Sequence, residues 1–352
     1  AKAAEKSDYE ALEQLENQLS SNRKVLLFGN GLGLALDPQY FLLETAIRHV
    51  WNQEDALDSA SKQIITGCLP RSDYEYPHGE DDLDLLQSAL SSCELLNWVE
   101  AGVSSSGIAL LTEQGRHLPQ AVKRFVYGVA AFFHSDQHTL PAGFVGPLMS
   151  FINATRSHAA VLNYDDLLYG PFVQEKILNG YQGTLVDGMV DAGFRPDRLD
   201  RWGGNDFGYY LHLHGSPLFY SREDVAYKLK RSHLKQSAEM LGNHVVLTHV
   251  RHKPRVISAS YLLSEYWRRL QLALSESSEL VVFGYSGQDE HLNQVIRDNA
   301  PPVPVRVVEW NGSGSMHARR EFWKAQVGNM VQKRDGFTQV SKRRITVGRQ
   351  GG

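Results

Sequence analysis

The chain of 352 residues carries 36 Lys and Arg against 40 Asp and Glu, a formal net charge of −4, with 42% hydrophobic, 10% aromatic and 22% charged residues. That balance excludes a disordered chain, which lacks the apolar side chains for a core, and the strong basic character with which proteins usually hold nucleic acid or anionic membrane. Two cysteines, Cys68 and Cys93, are too few for a disulfide framework or a four-thiolate zinc site and fit a reducing cytosol.

In chain order, Ala1–Ser21 is charged and is expected to be a helix rather than a signal peptide; the N-terminal helix is drawn over 1–22. The run Val25-Leu26-Leu27-Phe28 enters Gly29-Asn30-Gly31-Leu32-Gly33, the pattern of a buried parallel strand followed by a turn that exposes its backbone. From Gln39 to Thr155 strand signals vanish and helices are predicted at Tyr40–Trp51, Ala56–Cys68, Asp81–Val99, Leu118–His134 and Phe144–Ala154, a helical insertion over 39–155. Its longest mostly apolar stretch, around Phe125–Phe133, is too short to span a bilayer, so a cytoplasmic protein is expected. Strands are predicted again at Ala159–Leu162, Tyr209–Leu213, Val256–Ala259, Leu280–Phe283 and Val305–Glu309, with helices at Ser221–Leu241 and Leu262–Leu274. Alternating short apolar strands and helices predict an α/β, Rossmann-like, doubly wound and mostly parallel sheet, its core formed by 23–38 and 156–330. The remaining 331–352 is basic and reads as a mobile or packing tail rather than a nucleic-acid contact.

Ligands of open parallel sheets bind outside the carboxyl ends of the strands, and here those ends are polar. They read Gly29-Asn30-Gly31, Asn163-Tyr164-Asp165, His214-Gly215-Ser216, Gly284-Tyr285-Ser286 and Asn311-Gly312. Glycines let phosphate oxygens approach backbone N–H groups, and Asn or Ser can bond ribose hydroxyls, so together they predict a nucleotide crevice. Leu34 breaks the G-x-G-x-x-G fingerprint of hydride-transferring enzymes, and neither a G-x-x-x-x-G-K-[ST] loop nor a G-x-S-x-G elbow is present.

The order Gly29-Asn30-Gly31, Leu162-Asn163-Tyr164-Asp165-Asp166-Leu167-Leu168, Leu213-His214-Gly215-Ser216, Phe283-Gly284-Tyr285-Ser286 with Asp289-Glu290-His291, then Asn311, resembles the sirtuin superfamily, and more closely the sirtuin-like domains of bacterial antiphage defence systems. Protein-deacylating sirtuins carry a four-cysteine zinc module, which this chain lacks the cysteines to build, and Asn30 replaces the alanine of their G-A-G segment. The resemblance therefore implies the half of the family's machinery that binds and cleaves NAD+, without a zinc-ribbon module and with no metal.

Cleaving the nicotinamide–ribose bond develops positive charge at the ribose carbon, which calls for a polar group beside it, a water and a dry pocket. Asn163 suits the first role and matches the family's asparagine, though a strand-end Asn also caps loops. His214 is the candidate base, with His212 two residues earlier on the same strand face as a core or tuning neighbour. Asp165 is expected to orient Asn163 or brace the loop, Gly284 and Ser286 to meet phosphates or adenosine ribose, Tyr285 to form the wall, and Asp289 to cap a helix. By resemblance Asn311 holds the adenosine ribose; as a residue before Gly312 it reads equally as a turn. His134, Asp136 and His138, and the basic cluster Arg251, His252, Lys253 and Arg255, read as solvated loops, and Glu80-Asp81-Asp82-Asp84 as an acidic helix start.

These readings converge on an NAD+ hydrolase, releasing nicotinamide and ADP-ribose, as effector of antiphage defence by NAD+ depletion. The alternatives are a module that senses NAD+ or ADP-ribose without turnover and, disfavoured by the missing thiolates, an NAD-dependent deacylase. The resemblance further implies a homo-oligomer, a HerA-type ATPase as a possible partner, and nucleic acid only through such a partner.

Overall fold

The computed structural model describes residues 22–103, 109–202, 204–223, 225–236, 244–299, 304–309 and 311–328, with backbone alone at 235–236, 311, 331–333, 337–338 and 346–347. The expected helix over 1–22 and most of the basic tail lie outside the described residues. The chain divides into two compact units, the first formed by Ala1–Leu36, His138–Leu213 and Glu265–Gly352, the second by Asp37–Gln137 and His214–Ser264. This line differs from the sequence division: the helix Ala142–Thr155 groups with the sheet, and 214–264 with the helices.

In chain order the strands up to residue 333 are β1 (Lys24–Phe28), β2 (His158–Val161), β3 (Leu178–Asn179), β4 (Leu185–Val186), β5 (Met189–Val190), β6 (Gly193–Phe194), β7 (Gly208–His212), β8 (Phe219–Arg222), β9 (Val225–Lys228), β10 (Glu279–Phe283), β11 (Val305–Val308) and β12 (Val331–Lys333). Eight of them form one sheet in the first unit, ordered β12-β11-β10-β1-β2-β7-β4-β3, with every neighbouring pair parallel. The Rossmann-like α/β class is therefore as predicted. Val25, Leu26, Leu27 and Phe28 are all buried, because a central parallel strand is covered on both faces. β1 lies between β10 and β2, so the strand order reverses there and the carboxyl ends of these three strands flank a topological switch point.

The opposite, amino-terminal edge of the sheet is closed by charge. Glu276 accepts from Arg201 at 2.8 Å, lies 2.9 Å from His158 Nε2 and pairs with Arg23, while Glu279 joins Lys24 and Arg306. Burial disfavours the imidazolium and drives His158 down to about 4, although Glu276 opposes the shift. The folded pKa lies below the unfolded one, so the contribution of neutral His158 is complete above about 6.5 and lost as pH falls toward 4. The thermal midpoint is accordingly expected to fall between pH 6.5 and 4 more steeply in the parent than in His158→Asn; parallel curves would contradict it.

Two predicted elements are corrected. Val256–Ala259, expected as a strand, forms the end of the helix Lys253–Ser258 and the residue after it; Pro254 sits in the first helical turn, where its fixed φ and missing N–H are tolerated, and a four-residue, mostly apolar run does not distinguish the two states. Ser221–Leu241, expected as a helix, contains most of the hairpin β8–β9, with Glu223 at φ +51° and Tyr220 stacked on Tyr227, followed by the 3-10 turn Arg231–Gln236; residues 237–241 lie outside the described ones. Short strands β3 to β6 were not foreseen, being two residues each.

In the second unit the helices Leu43–Trp51, Ser59–Gly67, Asp84–Gly102 and Glu113–Phe132 form where predicted, with two of them capped by Asp58 and Thr112. The acidic start and the basic cluster are partners rather than separate solvated segments. Lys253 is buried, with Nζ 2.9 Å from Glu80, His252 Nε2 lies 2.7 Å from Asp84, and Arg251 pairs with the same carboxylate. Likewise Arg231 donates to the carbonyls of His134 at 2.9 Å and Asp136 at 2.8 Å, which ties the polar loop down. No described helix is long and apolar enough to cross a membrane.

Candidate active site

The switch point is built from glycine backbone in van der Waals proximity. Gly29 N–H donates to Phe283 O and Gly31 N–H to Gly284 O, both at 2.8 Å, so the loops after β1 and β10 are stitched together. A Cβ on Gly31 would stand 2.5 Å from the Gly284 Cα, one on Gly29 would stand 2.7 Å from Gly284 O, and Gly284 itself has φ +59°. The glycines after β1 are thus needed for close approach, and the amides of Gly29 and Gly31 are engaged internally rather than offered to a phosphate. Asn30 is partly exposed, and its carbonyl accepts from Leu34 at the start of the helix Gly31–Leu36.

Asn163 is delivered to this crossing by β2. The sheet continues one residue past the strand, with Leu162 N–H donating to Phe28 O at 2.9 Å, and Asn163 Nδ2 then donates to Gly29 O at 3.1 Å. The side chain is only 6% exposed, and its Oδ1 has no hydrogen-bond partner among the described residues. A buried amide oxygen without a donor is costly unless a ligand or water supplies one, so this atom marks where a hydroxyl or water can be held.

At Asp165, Oδ1 accepts from Leu167 N–H at 3.0 Å, and Asn163 bonds the same carboxyl. Burial drives this carboxyl up to about 6, with the Leu167 amide opposing and Asp166 reinforcing the shift. The folded pKa exceeds the unfolded one, so the contribution of this group is complete below about 4 and lost as pH rises through 6. Asp165→Asn is expected to gain on the order of 1–3 kcal/mol of unfolding free energy at pH 7, with little gain at pH 4. Equal denaturation curves at pH 7 would overturn that sign.

Along β10 the neighbours are partly committed. The Tyr285 hydroxyl accepts from Asp289 N–H at 2.9 Å and donates to Asn293 Oδ1 at 2.9 Å, and burial raises its pKa well above the ordinary value. Asp289 caps the helix Glu290–Asn299 as expected, accepting from Leu292 N–H at 3.2 Å. Ser286 is exposed beside them. Asn293 was missed: fully buried, it donates to Gly287 O at 2.8 Å and Gln326 at 3.0 Å, and only its position on the inner face of an amphipathic helix could have signalled it. Also unforeseen is the acidic hub after β4, where buried Asp187 accepts from the Tyr169 hydroxyl at 2.7 Å and its carbonyl from Tyr266 at 2.8 Å. The buried His212 ring packs 5.0 Å from both Tyr169 and Tyr210, the core role open to it.

The first unit therefore gathers Gly29, Asn30, Gly31, Asn163, Asp165, Gly284, Tyr285 and Ser286 around three adjacent strand ends. His214 and Gly215 belong to the second unit. There His214 is buried, its carbonyl accepting from Val246 N–H at 2.9 Å. Gly215 has φ +82°, and a Cβ would stand 1.7 Å from His244 O, so this glycine is required by a backbone crossing of its own. The side chain of Asn311 lies outside the described residues.

Fold and strand ends define a Rossmann-like α/β protein with polar residues at its switch point. No protein-family model matches the chain, and no curated protein matches it.

Proposed function

We propose that the chain is a sirtuin-like NAD+ glycohydrolase. The observation that carries this reading is the buried, unpartnered Oδ1 of Asn163 at the carboxyl edge beside the β1–β10 crossing, where a nucleotide's reacting ribose is expected in a doubly wound sheet. Oδ1 accepts a hydrogen bond from the attacking water or a ribose hydroxyl. The bond from the ribose carbon to nicotinamide nitrogen breaks with its electron pair leaving on nicotinamide, and water oxygen bonds to the carbon. The resemblance alone assigns His214 as the base for the proton that water releases, which ends in solvent. Asp165 holds Asn163 in place. The products are nicotinamide, ADP-ribose and a proton.

Depletion of NAD+ in antiphage defence follows from the resemblance in strand-end motifs, as do a homo-oligomeric state and a HerA-type ATPase partner in the cytoplasm. The deciding experiment is nicotinamide release from NAD+ by the purified chain, alone and with such an ATPase, beside a direct NAD+ binding measurement. Release that both Asn163→Ala and His214→Ala abolish supports the hydrolase. Binding of NAD+ without release under either condition overturns it and makes the crevice a sensing site for NAD+ or ADP-ribose.

A further inference from the structure

The helix Asp84–Gly102 has 19 residues, of which only Leu86 and Leu90 are buried. Its other side presents Leu85 at 58%, Leu95 at 58% and Trp98 at 75% exposure. A helix that is apolar on both sides has a second surface to bury.

That surface has an order. At 100° per residue, Ser88, Ser91, Leu95 and Trp98 fall on one stripe, spaced three, four and three, which is the spacing of a helix–helix seam. The amino-terminal half of the stripe is small and the carboxyl-terminal half is large. An antiparallel copy of the same helix, related by a two-fold axis beside position 93, sets Trp98 against Ser88 of the second copy and Leu95 against its Ser91, while Leu85 meets Val99 along one edge. Such self-complementarity is what an isologous interface requires.

Charge pairing and hydrogen bonding within the chain both favour self-pairing. The helix carries three carboxylates, and each is neutralised within its own chain: Asp84 by Arg251 and His252, Glu94 by Lys123 at 3.6 Å, and Glu100 by Arg116 at 2.7 Å. A second copy therefore meets no unpaired like charge. The hydroxyls of Ser88, on the stripe, and Ser92, beside it, donate to the carbonyls four residues back, Asp84 O at 3.3 Å and Ser88 O at 3.0 Å, so covering these two strands no donor.

We infer that the outer face of Asp84–Gly102 is a two-fold interface with a second copy of this chain, an antiparallel helix pair centred beside position 93. The inference stands apart from the NAD+ reading. Sedimentation equilibrium of the purified chain is expected to give a dimer, and Trp98→Glu and Leu95→Glu are each expected to raise its dissociation constant by roughly 100-fold or more. Both positions are exposed, so the circular dichroism and thermal midpoint of dilute samples should not change. Under mild oxidation Ser92→Cys should cross-link to its own copy, whereas the parent should not, its Cys93 facing the chain's own helices. A monomeric parent would overturn the inference, as would a dimer indifferent to both substitutions or a seam covered by the chain's own terminal segment.

Discussion

Replacing Asn163 by alanine is expected to lower the rate of nicotinamide release by about 10²- to 10³-fold, with the larger share in kcat. The size follows from the geometry. Oδ1 is buried and has no partner among the described residues, so a water or hydroxyl held there meets an acceptor fixed by the Nδ2 bond to Gly29 O and by Asp165. A fixed dipole in a site shielded from water acts on the developing charge without reorganising, which is why one positioned amide can have so large an effect. The structural loss should be small by comparison, about 1 kcal/mol for the bond to Gly29. Nicotinamide release and a denaturant titration on the same preparation separate the two. A fall in turnover that merely tracks lost folded protein would assign Asn163 to the loop and not to the chemistry.

The second large effect is on the fold itself. Gly284→Ala is expected to destabilise by more than about 3 kcal/mol, because the residue has φ +59° and the added Cβ would stand 2.7 Å from the Cα of Gly31. Backbone on both sides leaves no flexible side chain to yield. Gly31→Ala should cost a similar amount through the reciprocal contact, at 2.5 Å from the Gly284 Cα. The two should be non-additive, since the first substitution already separates the loops. Gly143→Ala is the control: it lies in the first turn of the helix Ala142–Thr155, a Cβ there meets nothing within 4 Å outside its chain neighbours, and a gain of roughly 0.5–1 kcal/mol is expected. Urea midpoints of the three variants test the argument, and a Gly284→Ala protein as stable as its parent would refute it.

The glycines illustrate how far local sequence goes. Gly29-Asn30-Gly31 after a buried strand was readable as a turn, and the chain does turn there into the helix Gly31–Leu36. That the exposed backbone meets Gly284 instead of leaving its amides for a phosphate was not readable, since the partner loop lies more than 250 residues away in sequence. Tyr285 was expected to shape a wall, but its hydroxyl is engaged by Asp289 and Asn293, a bond set by how the following helix starts. The strand expected at Val256–Ala259 failed because so short a run carries no period, and the start of the helix expected over Ser221–Leu241 gave way to a hairpin in which cross-strand partners such as Tyr220 and Tyr227 decided the outcome.

Similar logic governs charge. The acidic run Glu80–Asp84 and the basic run Arg251–Arg255 each looked like a solvated segment or helix start, and neither run names its partner. Packing in the second unit brings them together and buries Lys253 against Glu80.

By itself, the sequence determined the parallel α/β class, the positions of β1, β2, β7, β10 and β11 to within a residue or so, and the polar character of the strand ends, because buried strands need continuous apolar runs and chain reversals need glycine and asparagine. Tertiary structure alone decided that β1 lies between β10 and β2, that Asn163 Oδ1 is left there without a partner among the described residues, and that 214–264 packs with the helices of 37–137. The reason is physical: periodicity and propensity act over one turn or one strand, whereas strand order, burial and hydrogen-bond satisfaction are settled by residues distant in the chain competing for the same space.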